Sequence, residues 1–248
     1  MTILAFVVSA LLPATLWAQS ESRIHLLHSD RLYHDTEIDA RAQILVGNVQ
    51  FRHDDVLMYC DSALFYEASN SLDAFGNVRM NQGDTLSLAG DVLFYNGLDK
   101  LARVRNNVVL VHGKTTLYTD SLDYDRLYNV GYFFEGGHLV TQDNDMTSDW
   151  GEYRPETKVA VFNYNVHLVS PAPPQKSRTT LLTDTLYYNT VTSVANARGP
   201  STIDDGGCHI YTELGYMNSK NNDLTLLNRS EMSNNGKKLI GDSIVWNS

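Results

Sequence analysis

One eight-residue phrase recurs seven times along the chain at a nearly constant spacing. Its first copy runs from Met58 to Phe65, and an acidic residue at the fourth position is the fixed point of every copy. The seven acidic residues are Asp61, Asp91, Asp120, Asp149, Asp184, Glu213 and Asp242, separated by 30, 29, 29, 35, 29 and 29 residues. Repetition at one period of this length predicts a stack of similar units in one elongated body.

Each unit contains two short runs in which apolar and polar residues alternate, the pattern of half-buried β-strands. The first run follows a turn signal such as Gly47-Asn48, and the second carries the acidic residue. One column of the first run is apolar in all seven copies: Phe51, Met80, Leu110, Val140, Leu168, Ile203 and Met232. The position three before the acid is apolar in all seven as well: Met58, Leu88, Leu117, Met146, Leu181, Ile210 and Leu239. We therefore expect an all-β repeat domain of stacked antiparallel strands over residues 38–248.

A large residue follows each acid by four positions: Phe65, Tyr95, Tyr124, Tyr153, Tyr188, Met217 or Trp246. Positions −3 and +4 are an odd number apart, so in a straight strand they would face opposite sides of the sheet. A bend or bulge at the acid would return both to one side, and we expect that corner in every repeat. The tyrosines should pack on neighbouring strands, with their hydroxyls at the rim.

The acidic ladder has a functional and a structural interpretation. Calcium takes six to eight oxygens from several groups, whereas each repeat supplies one acid among small or apolar neighbours. A corner aspartate that accepts backbone N–H bonds from its own turn explains the pattern more simply. We therefore predict that the seven acids are structural corner residues.

Histidines and cysteines do not form an evident metal or disulfide site. His25, His28 and His34 lie in a polar stretch, residues 19–37, without a cysteine or tetrahedral spacing, so we expect a loosely ordered lead-in and no metal. Cys60 and Cys208 belong to the first and sixth repeats. Strands stacked ~4.8 Å apart would place them at least ~20 Å from each other, beyond disulfide reach.

Two segments stand outside the repeat. Residues 1–18 contain an uncharged apolar run followed by small residues, which predicts a secretory signal peptide cleaved after Ala18. Residues 171–178 (PAPPQKSR) account for the single long spacing and are expected to form a loop inserted in the fifth unit, because proline cannot donate to a strand ladder. No segment has the apolar period of a further helix.

Composition and motifs exclude several classes of function. The formal net charge is −10, without a cluster of Lys and Arg, which disfavours nucleic acid as a partner. Motifs of nucleophilic hydrolases, zinc proteases and phosphate-binding loops do not occur. We therefore expect neither an enzyme nor a cofactor.

The apolar columns suggest what the stack could do. Two facing walls lined by Val, Leu, Met, Phe and Ile would form a groove or flattened tube, and each CH₂ group buried there contributes ~0.8 kcal/mol. A sheath for alkyl chains is one interpretation. A closed β-solenoid that serves as a scaffold or adhesion stalk, with a dry core and no ligand, is the alternative. A polysaccharide lyase or hydrolase is a third and least favoured one.

The repeat resembles that of the OstA/LptA family, the periplasmic lipopolysaccharide-transport proteins, whose domain also forms the N-terminal part of LptD. The resemblance rests on the phrase Gly-Asn-Val, a turn, and an apolar–small–Asp–aromatic run, in the units 47–70, 76–100 and 106–129. Units 136–158 and 165–193 match less closely, and the last two units have lost the Gly-Asn-Val phrase.

The resemblance implies an antiparallel β-jelly-roll folded like a taco, with open strand edges at both ends and lipid A acyl chains held inside. It also implies joining by edge strands to LptC-like and LptD-like partners or to further copies, and a location in the periplasm of a Gram-negative bacterium. The lipid-lining candidates by column are Val49, Phe51, Met58, Val78, Met80, Leu88, Val108, Leu110, Leu117, Val140, Met146, Val166, Leu168 and Leu181.

Overall fold

The computed structural model describes residues 22–170, 178–221 and 223–246. The expected signal peptide and all of the expected inserted loop except Arg178 lie outside these residues. The strands are β1 (His25–His28), β2 (Arg31–Tyr33), β3 (Gln43–His53), β4 (Val56–Tyr66), β5 (Ser71–Gln82), β6 (Leu86–Asn96), β7 (Leu101–His112), β8 (Thr115–Asp125), β9 (Val130–Phe133), β10 (Gly137–Val140), β11 (Asp145–Ser148), β12 (Trp150–Arg154), β13 (Val159–Ser170), β14 (Thr179–Asn189), β15 (Val194–Asp205), β16 (Cys208–Asn218), β17 (Asp223–Asn234) and β18 (Lys237–Trp246). One helical turn, α1 (Thr36–Asp39), was not expected from the sequence.

The strands form one antiparallel sheet in which successive strands pair along the chain. We call each long strand of this meander a rung, and at three rungs two short strands take the place of one long strand. Thus β1 and β2 both pair with β3, β9 and β10 both pair with β8, and β11 and β12 both pair with β13. The predicted all-β stack of antiparallel strands is confirmed. Because each long strand, or divided pair of short strands, pairs only with the one before it and the one after it along the chain, the body grows along one axis.

Each long strand changes its buried side at the corner acid. In β4, Val56, Met58 and Cys60 are buried before Asp61, and Ala63 and Phe65 are buried after it. The predicted corner between positions −3 and +4 is thus confirmed in this strand. The buried positions change in the same way, from even to odd numbers or the reverse, wherever the strand pairing shifts register along the sheet. Both halves of a strand can therefore bury their apolar residues on one side of the sheet.

The sheet folds over on itself along this line of corners, which we call the spine. Half-strands on one side of the spine form wall A, such as residues 56–60 of β4, and those on the other side form wall B, such as residues 62–66. The hairpin turns at the free margin of wall A form lip A, for example residues 54–55, and those of wall B form lip B, for example residues 67–70. The gap between the lips is the mouth of the fold.

Side-chain hydrogen bonds between neighbouring strands hold the spine. The amide of Asn77 donates to Asp61 at 2.7 Å, and the same bond recurs from Asn107 to Asp91 at 2.7 Å and from Asn165 to Asp149 at 2.6 Å. We expected the acids to accept backbone N–H groups of their own turns. The bulge of the adjacent strand supplies the donor instead, because the bulge brings its asparagine directly over the acid.

At Gly76, beside Asn77, glycine is favoured for two reasons. Gly76 and Asn77 have φ values of +74° and +45°, a left-handed region that glycine and asparagine tolerate best. A Cβ atom added at Gly76 would also lie 2.6 Å from Oδ2 of Asp61, far inside van der Waals contact. The Gly76-Asn77 pair is thus the partner of Asp61. In the bulges of Asn107 and Asn165, the preceding residues Asn106 and Tyr164 take the same left-handed conformation, with φ values of +61° and +64°.

The spine begins earlier than the sequence indicated. Residues 19–37 were expected to be a loosely ordered lead-in, but β1 and β2 are paired with β3 and meet at Asp30. Asn48 donates to Asp30 at 3.0 Å, as the later asparagines do to their acids. Asp30 therefore occupies a further corner, 31 residues before Asp61.

Substitution of Gly76 tests the close approach at the spine. We expect Gly76→Ala to lower the free energy of unfolding, measured by urea denaturation, by about 2–4 kcal/mol, since it combines backbone strain of about 1–2 kcal/mol with a clash against Asp61. Gly83→Ala is the matched control: its φ is +56° and no atom lies within 4 Å of the added Cβ. Equal losses for the two variants would contradict this account of the corner.

Candidate functional site

The space between wall A and wall B is filled by one connected cluster of apolar side chains that extends from Ile24 to Ile244. Thirteen of the fourteen predicted lining residues belong to it, and each is at most 2% exposed: Val49, Phe51, Met58, Val78, Met80, Leu88, Val108, Leu110, Leu117, Met146, Val166, Leu168 and Leu181. The two walls are in contact, with the Phe51 and Phe65 rings 5.4 Å apart across the seam. The expected open groove is therefore a packed interior in this structure, and lipid contact by these residues stays a prediction.

Val140 was assigned to the wrong column. It is only half-buried, whereas Leu139 is fully buried and pairs with Leu117 and Met146. Leu139 lies 29 residues after Leu110 and 29 residues before Leu168, so it keeps the period of the repeat, whereas Val140 is one residue out of step. His138 consequently points outward, and the Phe133 ring fills the space over Gly137, where an added Cβ would lie 2.4 Å from that ring.

Tyrosines on wall B close the mouth through their hydroxyl groups. The rings of Tyr95, Tyr124, Tyr153 and Tyr188 are at most 2% exposed. Their hydroxyls meet lip A residues: His53 at 2.6 Å, Gln82 at 3.5 Å, His112 at 2.9 Å and Asn144 at 2.7 Å, respectively. The partners are separated by 42, 42, 41 and 44 residues, so the same contact repeats along the mouth. We call this series the tyrosine ladder, and it confirms the expected place of the hydroxyls at the rim.

Charged residues join the ladder near its N-terminal end. Arg126 of lip B donates to the Tyr95 hydroxyl at 2.5 Å and to Asp55 of lip A at 2.9 Å, although its side chain is only 3% exposed. Lys100 of lip B donates to Asp54 at 2.7 Å. This hydrogen bond lowers the pKa of Asp54 to about 2. The sequence analysis missed Arg126, whose only signal was a basic residue in a predicted turn.

His53 lies in a hydrogen-bonded cluster with Tyr95 and Arg126. Its Nδ1 atom is 2.6 Å from the Tyr95 hydroxyl, which accepts from Arg126 and can donate its own proton to a neutral imidazole. Burial is the main cause that lowers the pKa of His53, with Arg126 also disfavouring the charged form. Burial and then Lys158 lower the pKa of His112 in the same way.

Other candidate features carry less chemistry. Among the described residues there is no group of three or more His, Cys, Asp or Glu side chains placed to hold a metal. Cys60 and Cys208 are free thiols, and burial raises the pKa of Cys60 to about 12. No helix within the described ranges has the length and apolar character needed to cross a bilayer.

Removal of the ladder hydroxyls should loosen the mouth. In a Cys208→Ser background, replacement of Tyr95, Tyr124, Tyr153 and Tyr188 by Phe keeps the buried rings, as Phe65 shows at the equivalent position. We expect the unfolding free energy to fall by about 2–5 kcal/mol, at about 1 kcal/mol per hydrogen bond. Cys60 should then react faster with a thiol reagent, because it is 6% exposed while the walls are in contact.

The control replaces four exposed tyrosines of the outer surface by Phe: Tyr118, Tyr164, Tyr211 and Tyr216. This variant should label at the wild-type rate. Equal labelling of Cys60 in the two variants would show that the ladder does not hold the walls together.

The two histidines should make stability depend on pH. Their pKa values are lowered in the folded protein, so the unfolded chain binds more protons just below its ordinary value of ~6.5, and stability falls as the pH falls through that window. Replacement of His53 and His112 by Gln, the residue found at position 82, should flatten the melting temperature between about pH 7 and pH 5. An unchanged slope would refute the assignment.

Two family models and a solved structure are similar to this chain. The family model described as OstA-like protein matches residues 21–177, and the model described as lipopolysaccharide-assembly, LptC-related matches residues 130–234. No curated protein sequence matches the chain. A crystal structure of LptH, the LptA homologous periplasmic component of the conserved lipopolysaccharide transport device from Pseudomonas aeruginosa, is similar at 10% identity with a TM-score of 0.43, covering 51% of this chain and 93% of that one. Since the first model spans more than half of the sequence, the chain belongs to the OstA-like protein family.

Proposed function

We propose that the protein binds the acyl chains of lipopolysaccharide between its two walls and forms part of a bridge that carries this lipid toward the outer membrane. The observation that carries the proposal is the uninterrupted apolar seam from Ile24 to Ile244. If the walls part, alkyl chains could lie along this seam across successive strands. Membership of the OstA-like family and the match to the LptC-related model support the same role.

The walls have to part for a chain to enter, and the construction of the fold favours this motion. Backbone hydrogen bonds run within each wall, and the two walls share a covalent connection only along the spine. Across the mouth, the hydrogen bonds given for the described residues each involve at least one side chain, and the backbone strand ladders do not cross it. Parting the walls therefore leaves the strand ladders intact, and alkyl chains would keep the exposed seam dry at ~0.8 kcal/mol per buried CH₂ group.

The edge strand β18 supports assembly with partners. Its inward residues Leu239 and Trp246 are 52% and 54% exposed, because no further strand of the described chain covers them, and Ile240 and Val245 are 63% exposed on the other face. Unpaired backbone groups and exposed apolar side chains together favour the addition of another strand. We propose LptC-like and LptD-like proteins, or further copies of this chain, as those partners.

We place the protein in the periplasm of a Gram-negative bacterium. Lipopolysaccharide has to pass between two membranes there, and the sequence features of residues 1–18 are those of an exported protein. The proposal requires no catalytic step, since the protein would only shield and hand on an apolar ligand.

A second candidate function is a scaffold or adhesion protein without a lipid ligand. The packed interior favours it, because the seam residues are already buried by each other in this structure. The two functions differ in whether the walls separate in the presence of lipid.

Site-specific photo-crosslinking distinguishes them. p-Benzoylphenylalanine would replace Phe51, which is fully buried in the seam, or Phe94, which is 41% exposed on the outer face. After incubation with lipopolysaccharide, we expect the variant at position 51 to crosslink several times more than the variant at position 94. Circular dichroism would verify the fold of both variants.

Equal crosslinking at the two positions would contradict an internal lipid site. Mass spectrometry of the purified wild-type protein gives an independent measurement. Recovery of no acylated glycolipid, together with an absence of crosslinking at position 51, would favour the scaffold function.

A further inference from the structure

A second polar site lies at the mouth, away from the charged cluster around Arg126. A cleft of about 390 Å³ lies between lip A and lip B above the Tyr153 hydroxyl. Three lysines line it: Lys114 comes from lip A, and Lys158 and Lys220 come from lip B. Asp143 is the only acidic residue among the residues that line the cleft, so three ammonium groups face one carboxylate.

Neutral groups accept the hydrogen bonds of these lysines. Lys114 donates to the side-chain carbonyl of Gln142 at 3.0 Å, and Lys158 donates to Nε2 of His112 at 2.9 Å. Lys220 donates to the backbone carbonyl of Val191 at 2.9 Å, while its distance to Asp143 is 3.8 Å. Most of the positive charge in the cleft is therefore not neutralised by nearby carboxylates.

The other cations of the mouth are arranged differently. Lys100 is 2.7 Å from Asp54, and Arg126 is 2.9 Å from Asp55. In that part of the mouth each cation has its own carboxylate. Within the described residues, Lys220 alone of the three lysines in the cleft approaches a carboxylate, and at 3.8 Å it is farther from Asp143 than Lys100 is from Asp54, although the chain carries a net charge of −10.

We propose that the cleft binds a phosphate group, held by Lys114, Lys158 and Lys220, and that on the proposed function this phosphate belongs to the headgroup of a bound amphiphile. Ammonium groups are phosphate ligands, and bonds between opposite charges are about twice as strong as neutral ones. Threonines at positions 85, 115, 141 and 190 also line the cleft. The hydroxyls of Thr141 and Thr190 donate to the backbone carbonyls of Asn144 and Lys158.

The position of the cleft fits a ligand with a charged head and an apolar tail. Tyr153 contributes to both sites: its ring is 1% exposed in the seam, and its hydroxyl contacts His112 at the cleft. A phosphate at the lysines would thus lie at the mouth, directly over the apolar interior. The tail would extend between the walls, and the head would stay in contact with water.

Three ligands test the proposal on the full chain: diphosphoryl lipid A, the same lipid after removal of its phosphates, and inorganic pyrophosphate. We expect wild-type protein to bind the phosphorylated lipid about tenfold or more tightly than the dephosphorylated form, as expected for charged hydrogen bonds. Replacement of Lys114, Lys158 and Lys220 by Gln should abolish this preference. The matched control Lys100→Gln removes a cation that is already paired with Asp54 and should retain it.

Pyrophosphate tests whether free phosphate or only a lipid headgroup binds in the cleft. It also tests the phosphate site independently of the proposed lipid binding between the walls. Chemical-shift changes at the amides of Thr115 and Thr190, absent in the triple variant, would show that free phosphate suffices. The proposal that the cleft binds phosphate would then be supported even if wild-type protein bound neither lipid. Failure to bind either lipid would refute only the proposed function. Equal affinity of wild-type protein for the two lipids, together with no chemical-shift change on addition of pyrophosphate, would refute the proposed phosphate site. A triple variant that still prefers the phosphorylated lipid would also refute it. Lys114→Gln alone, at an exposed position, provides the same comparison if the triple variant does not fold.

Discussion

The fold depends on the contact between a corner acid and the Gly-Asn bulge of the neighbouring strand. At this point two residues oppose one, so the inward side of the strand changes from even to odd positions. Both halves of a strand can therefore bury their apolar side chains against each other. Without the bulge, half of the apolar residues would face solvent, and the sheet would have no reason to fold over.

The two sides of the folded sheet are consequently held in different ways. Continuous backbone and the Asp–Asn bonds hold the spine, whereas side chains close the mouth. Several of these are polar or charged groups at the rim of an apolar interior, and Nε of Arg126 has no hydrogen-bond partner there. A buried cation with an unsatisfied donor costs free energy, so the closed mouth is less favourable than an all-apolar seam would be. Separation of the lips would return these groups to water.

This asymmetry connects the architecture with a ligand that is apolar at one end and charged at the other. On the proposed function, the seam would accept alkyl chains only when the lips part, and the lysine cleft lies at the same margin. Lys114 and Lys158 have neutral partners and Lys220 lies 3.8 Å from Asp143, while the cations near Arg126 are closely paired with carboxylates. The mouth thus has one region, around Arg126, where ion pairs join the lips. On the proposed phosphate site, it has a second region, the lysine cleft, whose ammonium groups would bind an anion.

The sequence by itself determined the period, the antiparallel stack, the corner at the acids and thirteen inward positions of the seam, because each follows from local alternation and turn chemistry. The structure decided the rest. Asp30 and its rung lie outside any recognisable copy of the phrase. Burial and strand pairing identify Leu139, which keeps the 29-residue spacing to Leu110 and Leu168, as the inward residue in place of Val140. The pairs across the mouth, 41 to 44 residues apart, depend on how far one wall is staggered against the other. That stagger and the contact between the walls arise from the twist and packing of the whole sheet, which no local pattern encodes.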